Sequence, residues 1–321
     1  MLSSVIGHAG VKEKLSLLVA GKEPSGAYLF YGPPNVGKRT TAFETAKTIL
    51  CENKDSDDCK CRSCVRFNQG HPDFLCVGQH EKIKVSDIDG ILEFCSLAPL
   101  LSKYKIIILD NADNITWDAS NRLLKVLEEP PRQVVFFLIT TNPQALIPTV
   151  LNRCLRYEFG ALSKGNLVTI ISKKLGFSVE QALVLGNMAV DSSIDVFSKA
   201  GQYLMYRDQA IVFAVDIKHK DLISMMDFID RIDKGEVSLF SDVLLTVFTD
   251  MSLLINKITD IVNADKVKDL TKLSEMYNER ALINIINTFS QIKRDMRLNV
   301  NMPLVLKNAL IKIHPYALLH A

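Results

Sequence analysis

The stretch "AYLFYGPPNVGKRT", residues 27–40, decides how the first half of this chain is read. A β-rich run, "AYLFYG" (27–32), empties into a glycine loop, and a helical pattern, "TTAFETAKTILC" (40–51), follows it. That strand–loop–helix context turns the pattern G-x-x-x-x-G-K-[ST] into evidence for a phosphate-binding loop. Gly32 and Gly37 let backbone N–H groups curl around a phosphate, Lys38 reaches its outer oxygens, and the helix N-terminus adds positive potential. The candidate nucleotide contacts are therefore Gly32, Pro33, Asn35, Val36, Gly37, Lys38, Arg39 and Thr40. The eighth letter departs from the pattern, because Arg39 stands where a hydroxyl would hold magnesium. Thr40 does not stand in for it, since one helical step rotates a side chain by about 100°.

Working outward, "DFLCVG" (73–78), "KIIILD" (105–110), "VVFFLITT" (134–141) and "LRYEF" (155–159) read as further strands. The near-continuous apolar runs are those of a parallel sheet covered on both faces. Between them lie "SDIDGILEFCSLA" (86–98), which Ser86 could cap, and "TWDASNRLLKVLEE" (116–129), capped by Thr116 and stopped by Pro130-Pro131. Strands alternating with helices predict a parallel α/β sheet with ligands at the carboxyl ends of its strands. Asp110 ends "KIIILD", where a magnesium-holding carboxylate belongs. Asn111 follows it, and a neutral amide cannot polarise an attacking water as a glutamate would. The loop could hold a nucleotide, ATP or ADP, while hydrolysis has lost two supports, each worth roughly 10²-fold or more.

The chain has 321 residues, a length that predicts about two domains. Its 38 basic and 36 acidic residues leave a net charge of +2, so no global field draws it to nucleic acid or membrane. The longest apolar run, "VVFFLI" (134–139), is too short to span a bilayer, and "MLSSVIGHAGVKEKL" (1–15) has no signal-peptide pattern. A cytoplasmic protein is the expectation. Four of its seven cysteines, Cys51, Cys59, Cys61 and Cys64, fall within fourteen residues as C-x7-C-x-C-x2-C. In a reducing compartment that grouping predicts a closed, structural Zn²⁺ site, with His71 as a possible substitute ligand. Cys76, Cys95 and Cys154 read as small core residues. Beyond residue 162 the strands stop and the pattern is helical. Leu244, Val247, Met251, Leu254 and Ile258 recur at spacings of three and four, an apolar stripe for core packing.

The motifs "VIGHAGVKEKL", "AYLFYGPPNVGK", "CRSC", "GHPDF", "KIIILDNAD", "NRLLKVLEEPP" and "FFLITTNPQALIPTVLNRC" occur in the order seen in bacterial DNA polymerase III clamp-loader subunits. The chain resembles the delta-prime type first and the gamma/tau motor type next. The resemblance covers the first 160 residues strongly, and "LNVNMPLVLKNALIKI" (298–313) extends it to the helical tail.

It implies an AAA+ nucleotide-binding domain at 1–161 carrying the inserted zinc loop, a helical lid at 162–201 and an all-helical collar at 202–321 that assembles a pentameric hetero-oligomer. It implies gamma/tau and delta subunits as partners, with the sliding clamp and primer-template DNA reached through the assembly. The family's "SRC" arginine finger matches Asn152-Arg153-Cys154, so Arg153 inherits action in trans on a neighbour's ATP. Thr141 or Asn142 stands where the family senses the γ-phosphate, and either serves equally as a turn residue before Pro143. Asp195 falls where the motor subunits carry a lid arginine. Asn121, Arg122 and Lys125 could approach DNA or simply form a solvated face, while Arg62 and Arg66 solvate the cysteine loop. Trp117 is expected to pack, and Asp113 either faces the nucleotide or caps a turn. Two functions follow: a stator that scaffolds the loader and donates Arg153, or an ATP-hydrolysing gamma/tau-type motor. An unrelated nucleotide kinase does not account for the helical tail.

Overall fold

Alternate residues of three strands go to opposite cores, and that alternation builds the first unit. The computed structural model describes residues 2, 4–21, 24–53, 59–79, 82–191, 196–295 and 301–318. It divides into two compact units, Met1–Ser163 and Lys164–Ala321. The first unit runs α1 (Ala9–Ala20), β1 (Gly26–Tyr31), α2 (Lys38–Leu50), α3 (Arg62–Gly70), β2 (Phe74–Val77) and α4 (Val85–Ser96). It continues with β3 (Lys105–Leu109), α5 (Trp117–Glu128), β4 (Val134–Thr140), the single turn α6 (Pro148–Leu151) and β5 (Cys154–Glu158).

The strands pair in parallel in the order β2-β3-β4-β1-β5. Tyr28, Phe30, Ile106, Ile108, Val135 and Phe137 bury against α1 and α2 through Leu15, Ala42, Ala46 and Ile49. Their neighbours Leu29, Ile107, Leu109, Phe136 and Leu138 bury against α4 and α5 through Ile88, Ile91, Leu123 and Leu127. Both faces are therefore dry, which is why β3 and β4 carry no polar alternation. This is the expected parallel α/β sheet with helices on both faces.

Local signals hold at most boundaries. Thr116 caps α5, its Oγ1 accepting the Ala119 N–H at 3.4 Å, and α5 ends before the two prolines. Helix α4 starts one residue before the expected Ser86 cap. Asp87 in its first turn accepts the Lys84 N–H at 2.7 Å, so an acidic side chain reaches back where a hydroxyl was expected. Trp117 is 68% exposed rather than packed, because it opens α5 beyond the last layer that could cover it. Cys95 and Cys154 are buried in the core, while Cys76 is only half-buried.

The second unit is helical throughout its described residues: α7 (Lys164–Leu175), α8 (Val179–Asp191), α9 (Val196–His219), α10 (Leu222–Asp230), α11 (Val237–Ile255), α12 (Val267–Ser274), α13 (Glu279–Asp295) and α14 (Met302–Ala317). Ile171 and Leu185 from the expected lid share one hydrophobic core with Phe240, Ile285 and Leu310 from the expected collar. Helix α9 runs unbroken across the expected lid–collar boundary at 201/202, so that boundary separates neither helices nor cores.

Among the described residues, α11 is the one helix long and apolar enough to cross a membrane. Its buried residues, Phe240, Leu244, Val247 and Met251 among them, are instead the centre of this core, packed by α9, α12, α13 and α14. Ile258 of the expected stripe lies past the end of α11 and is 47% exposed.

Candidate functional site

The carboxyl ends of four strands meet at one edge of the sheet. Gly32 follows β1, Gly78 follows β2, Asp110 follows β3 and Thr141 follows β4. Gly32 has φ 144°, and a Cβ there would lie 2.0 Å from the Phe159 carbonyl oxygen, so no other residue fits. Asn35 at φ 58° and Gly37 at φ 95° turn the loop into α2. The loop is braced from outside by His8, whose Nε2 lies 2.7 Å from the Val36 carbonyl oxygen and whose ring meets Phe159 edge-on at 4.8 Å.

Lys38 is buried and turns back on the loop, its Nζ donating to the carbonyls of Gly32 at 2.8 Å and Pro33 at 2.5 Å. Burial pulls its pKa down, partly offset by the carboxylates of Asp113 and Asp110. Val36 is buried, whereas Pro33, Asn35 and Thr40 face solvent.

Arg39 is the departure that matters. Its Nε lies 3.4 Å from Asp110 Oδ2, with Asp110 buried and the arginine half exposed. The guanidinium also lies over the Phe43 ring, 5.2 Å from its centroid, and Phe43 is in turn packed edge-on to Phe67 of α3. Burial raises the Asp110 pKa, and the Arg39 charge works against that rise. Asn111, in a left-handed conformation at φ 52°, donates its amide to the Gly78 carbonyl at 3.3 Å.

The loop, a buried lysine and a strand-end carboxylate fit a phosphate-bearing ligand. They do not fit magnesium, whose carboxylate is already paired with a guanidinium, whose hydroxyl ligand is missing and whose neighbouring acid is an amide.

Thr140 and Thr141 both donate to Asp113, at 3.0 and 3.4 Å, while Asn142 accepts the Gln144 N–H at 3.2 Å and caps the next turn. Asp113 thus ties the β4 end to the turn after β3.

Arg153 sits in the turn between α6 and β5, one-third exposed. It donates to the Thr149 carbonyl at 2.9 Å and to Glu128 Oε1, at the end of α5, at 2.6 Å. Asn121, Arg122 and Lys125 lie exposed on α5, with Arg122 paired to Asp89 of α4. Asp195 lies outside the described residues.

The four thiols of Cys51, Cys59, Cys61 and Cys64 all lie within 4.8 Å of one another, and Cys51 and Cys61 sulfurs are 4.0 Å apart. A tetrahedral centre with metal–sulfur bonds of about 2.3 Å sets its sulfurs about 3.8 Å apart, so the tight C-x-C spacing converges on a metal-sized site. Cys51 ends α2 and Cys61 caps α3, its sulfur receiving the Cys64 N–H at 3.4 Å. Burial works against the Cys61 thiolate, but N–H donation from Cys64 and Glu52 outweighs it and brings the thiol down to about 7. Burial and the neighbouring thiols push Cys64 up.

His71 does not stand in for a cysteine, since both its ring nitrogens are engaged elsewhere. Its Nδ1 accepts the Asp73 N–H at 3.0 Å, which leaves Nε2 to carry the proton toward Ser63 Oγ at 2.8 Å. Asp73, fully buried, was not singled out in the sequence. It accepts the N–H groups of Leu100 and Leu101 at 2.7 Å and of Ser102 at 2.9 Å.

Residues 7–163 match the family described as DNA polymerase III, delta subunit, and residues 207–314 match its C-terminal counterpart. The delta-prime subunit of Bacillus subtilis DNA polymerase III is 27% identical over 288 residues, covering 87% of each chain. The tau subunit of the same organism is 29% identical over 243 residues, 73% of this chain but only 42% of tau's length. A solved gamma-subunit-related protein of Thermotoga maritima aligns over 96% of this chain and 99% of its own, at 18% identity and a TM-score of 0.47. With two successive family matches spanning the sheet unit and most of the helical unit, the chain belongs to the DNA polymerase III delta-subunit family and is a delta-prime-like clamp-loader subunit within it.

Proposed function

We propose that this chain is the stator of a cytoplasmic clamp loader: it scaffolds a hetero-oligomer with gamma/tau- and delta-type subunits and supplies Arg153 to a neighbour's ATP. Loading of the sliding clamp onto primer-template DNA is the work of that assembly. The observation that carries the reading is the contrast between two arginines. Arg153 stands at the surface of its unit with its guanidinium on an exposed glutamate, whereas Arg39 is turned onto the chain's own Asp110. A guanidinium supplied in trans stabilises charge on a transferring phosphoryl group and is worth about 10³–10⁵ in rate at the site it serves.

The chain's own loop keeps the cradle, Gly32, Gly37 and Lys38, and could receive ATP or ADP. The hydroxyl that would hold metal and the acid that would polarise water are replaced by Arg39 and Asn111, which argues against the gamma/tau-type motor. The cysteine cluster takes Zn²⁺, the metal that four thiolates in a closed tetrahedral loop select, and it holds α2 to α3 rather than doing chemistry.

The test is a loader reconstituted with Arg153→Ala. The variant chain should fold as wild type and assemble, and the clamp- and DNA-stimulated ATPase should fall. A normal rate from an intact variant assembly would overturn the finger assignment.

A further inference from the structure

The Arg39–Asp110 pair settles more than a missing hydroxyl. In a working phosphate loop the strand-end carboxylate and the loop hydroxyl share one divalent cation with the nucleotide phosphates. Here Asp110 is 5% exposed and faces a cation that belongs to the chain itself. Three further contacts hold that arrangement. The Arg39 guanidinium is restrained over Phe43, whose ring packs on Phe67 and Phe74. Lys38 supplies a second buried cation nearby, already engaged with the loop carbonyls. Asn111 spends its amide on Gly78, where a Cβ would lie 2.2 Å from the Asp110 carbonyl oxygen, so this turn has no slack to bring in another ligand.

A divalent ion entering here would meet a like charge at short range and would have to break an ion pair to reach Asp110. Magnesium also demands near-octahedral oxygen ligation, whereas here the loop hydroxyl is replaced by Arg39, Asp110 is held in an ion pair and Asp113 is engaged by the Thr140 and Thr141 hydroxyls.

We propose that Arg39 is a built-in replacement for the metal: paired with Asp110, it keeps magnesium out of this subunit's phosphate loop. The inference rests on reading the loop as a nucleotide cradle, not on the role of Arg153. It makes magnesium exclusion a property of one half-exposed side chain beside a retained carboxylate.

The experiment uses the isolated full-length chain, ADP as the probe, and buffers containing either magnesium or EDTA. The wild type should bind ADP equally in both, or in neither. Arg39→Thr should gain magnesium-dependent binding, with affinity at least about tenfold tighter in magnesium than in EDTA, and Arg39→Lys, which keeps the cation, should not. Mn²⁺ provides a second readout: the free-ion electron paramagnetic resonance signal should be depleted by Arg39→Thr with ADP beyond what ADP alone depletes, and not by the wild type.

Wild-type protein that binds ADP about tenfold tighter with magnesium, or an Arg39→Thr variant with no metal-dependent gain, would overturn the proposal. Neither result bears on Arg153, whose test is the ATPase of the assembly.

Discussion

Removing the Asp73 carboxylate should loosen the loop that leads into β3 while leaving the cysteine loop and the sheet order intact. Three backbone N–H groups, from Leu100, Leu101 and Ser102, end on its two oxygens at 2.7–2.9 Å, and its side chain has no contact with water. A hydrogen bond to a charged group contributes about 1.5–3 kcal/mol, so the three together set an upper range of about 4–9 kcal/mol. Leu100 is 77% exposed, so the freed donors there can turn to solvent and recover part of the loss. Asp73→Ala should therefore cost about 3–4 kcal/mol, and Asp73→Asn about 2 kcal/mol, because one acceptor oxygen survives while the amide NH₂ opposes a backbone donor.

The pH dependence has a definite sign. Burial raises the Asp73 pKa, but the three N–H donors outweigh it and leave the carboxyl below its ordinary value. Its contribution is thus fully present above the unfolded-chain value of about 3.9 and is lost as pH falls through the lower folded value. The gap between wild type and Asp73→Asn should be constant near neutrality and close in that acid range. Urea unfolding of the full chain gives the energies, and amide hydrogen exchange of residues 97–104 locates the effect. Wild-type protection of the Leu100–Ser102 amides in either variant, or an unchanged unfolding midpoint, would refute this account.

Gly32→Ala should destabilise the first unit by about 2–3 kcal/mol, read as a lowered thermal midpoint, since its Cβ would collide at 2.0 Å with backbone rather than with a yielding side chain. Freshly purified, reduced protein should contain about one zinc per chain, and Cys61→Ser should lower that content and increase the thiols titratable under native conditions. In the reconstituted loader, Arg153→Lys should recover little of the ATPase lost in Arg153→Ala, because an ammonium cannot present the planar fork. Glu128→Gln should leave folding within about 1 kcal/mol of wild type by urea unfolding, as expected for a half-exposed ion pair.

What was legible in the sequence was mostly local. The apolar runs of β3 and β4, the Thr116 cap, the Pro130-Pro131 stop and the glycine loop each carry their signal within a few residues, and each appears where that signal puts it. The cysteine cluster was legible because its spacing is itself the constraint. Partnerships across the fold were not. Arg39 was visible as an odd letter, but its engagement with Asp110 depends on β1 and β3 ending at one edge. Glu128 could not be joined to Arg153 before α5 and the α6–β5 turn were placed. Asp73 reads in the sequence only as the first residue of a strand, because its partners lie 27–29 residues downstream. Trp117 was misjudged because hydrophobicity alone says nothing of which layer reaches the first turn of a helix.

The fit between Gly32 and the end of β5 has a mechanical consequence. The Phe159 N–H is bound to the Tyr31 carbonyl at 2.8 Å, and its own carbonyl closes the space above Gly32. Only Gly160–Ser163 then remain before the helical unit begins. Because main chain rests on main chain there, with no side chain to absorb a displacement, any shift of the loop is handed straight to the connecting strap. Close-packed matter of this kind transmits strain rather than damping it. A displacement of Gly32 is thereby felt first at the end of β5.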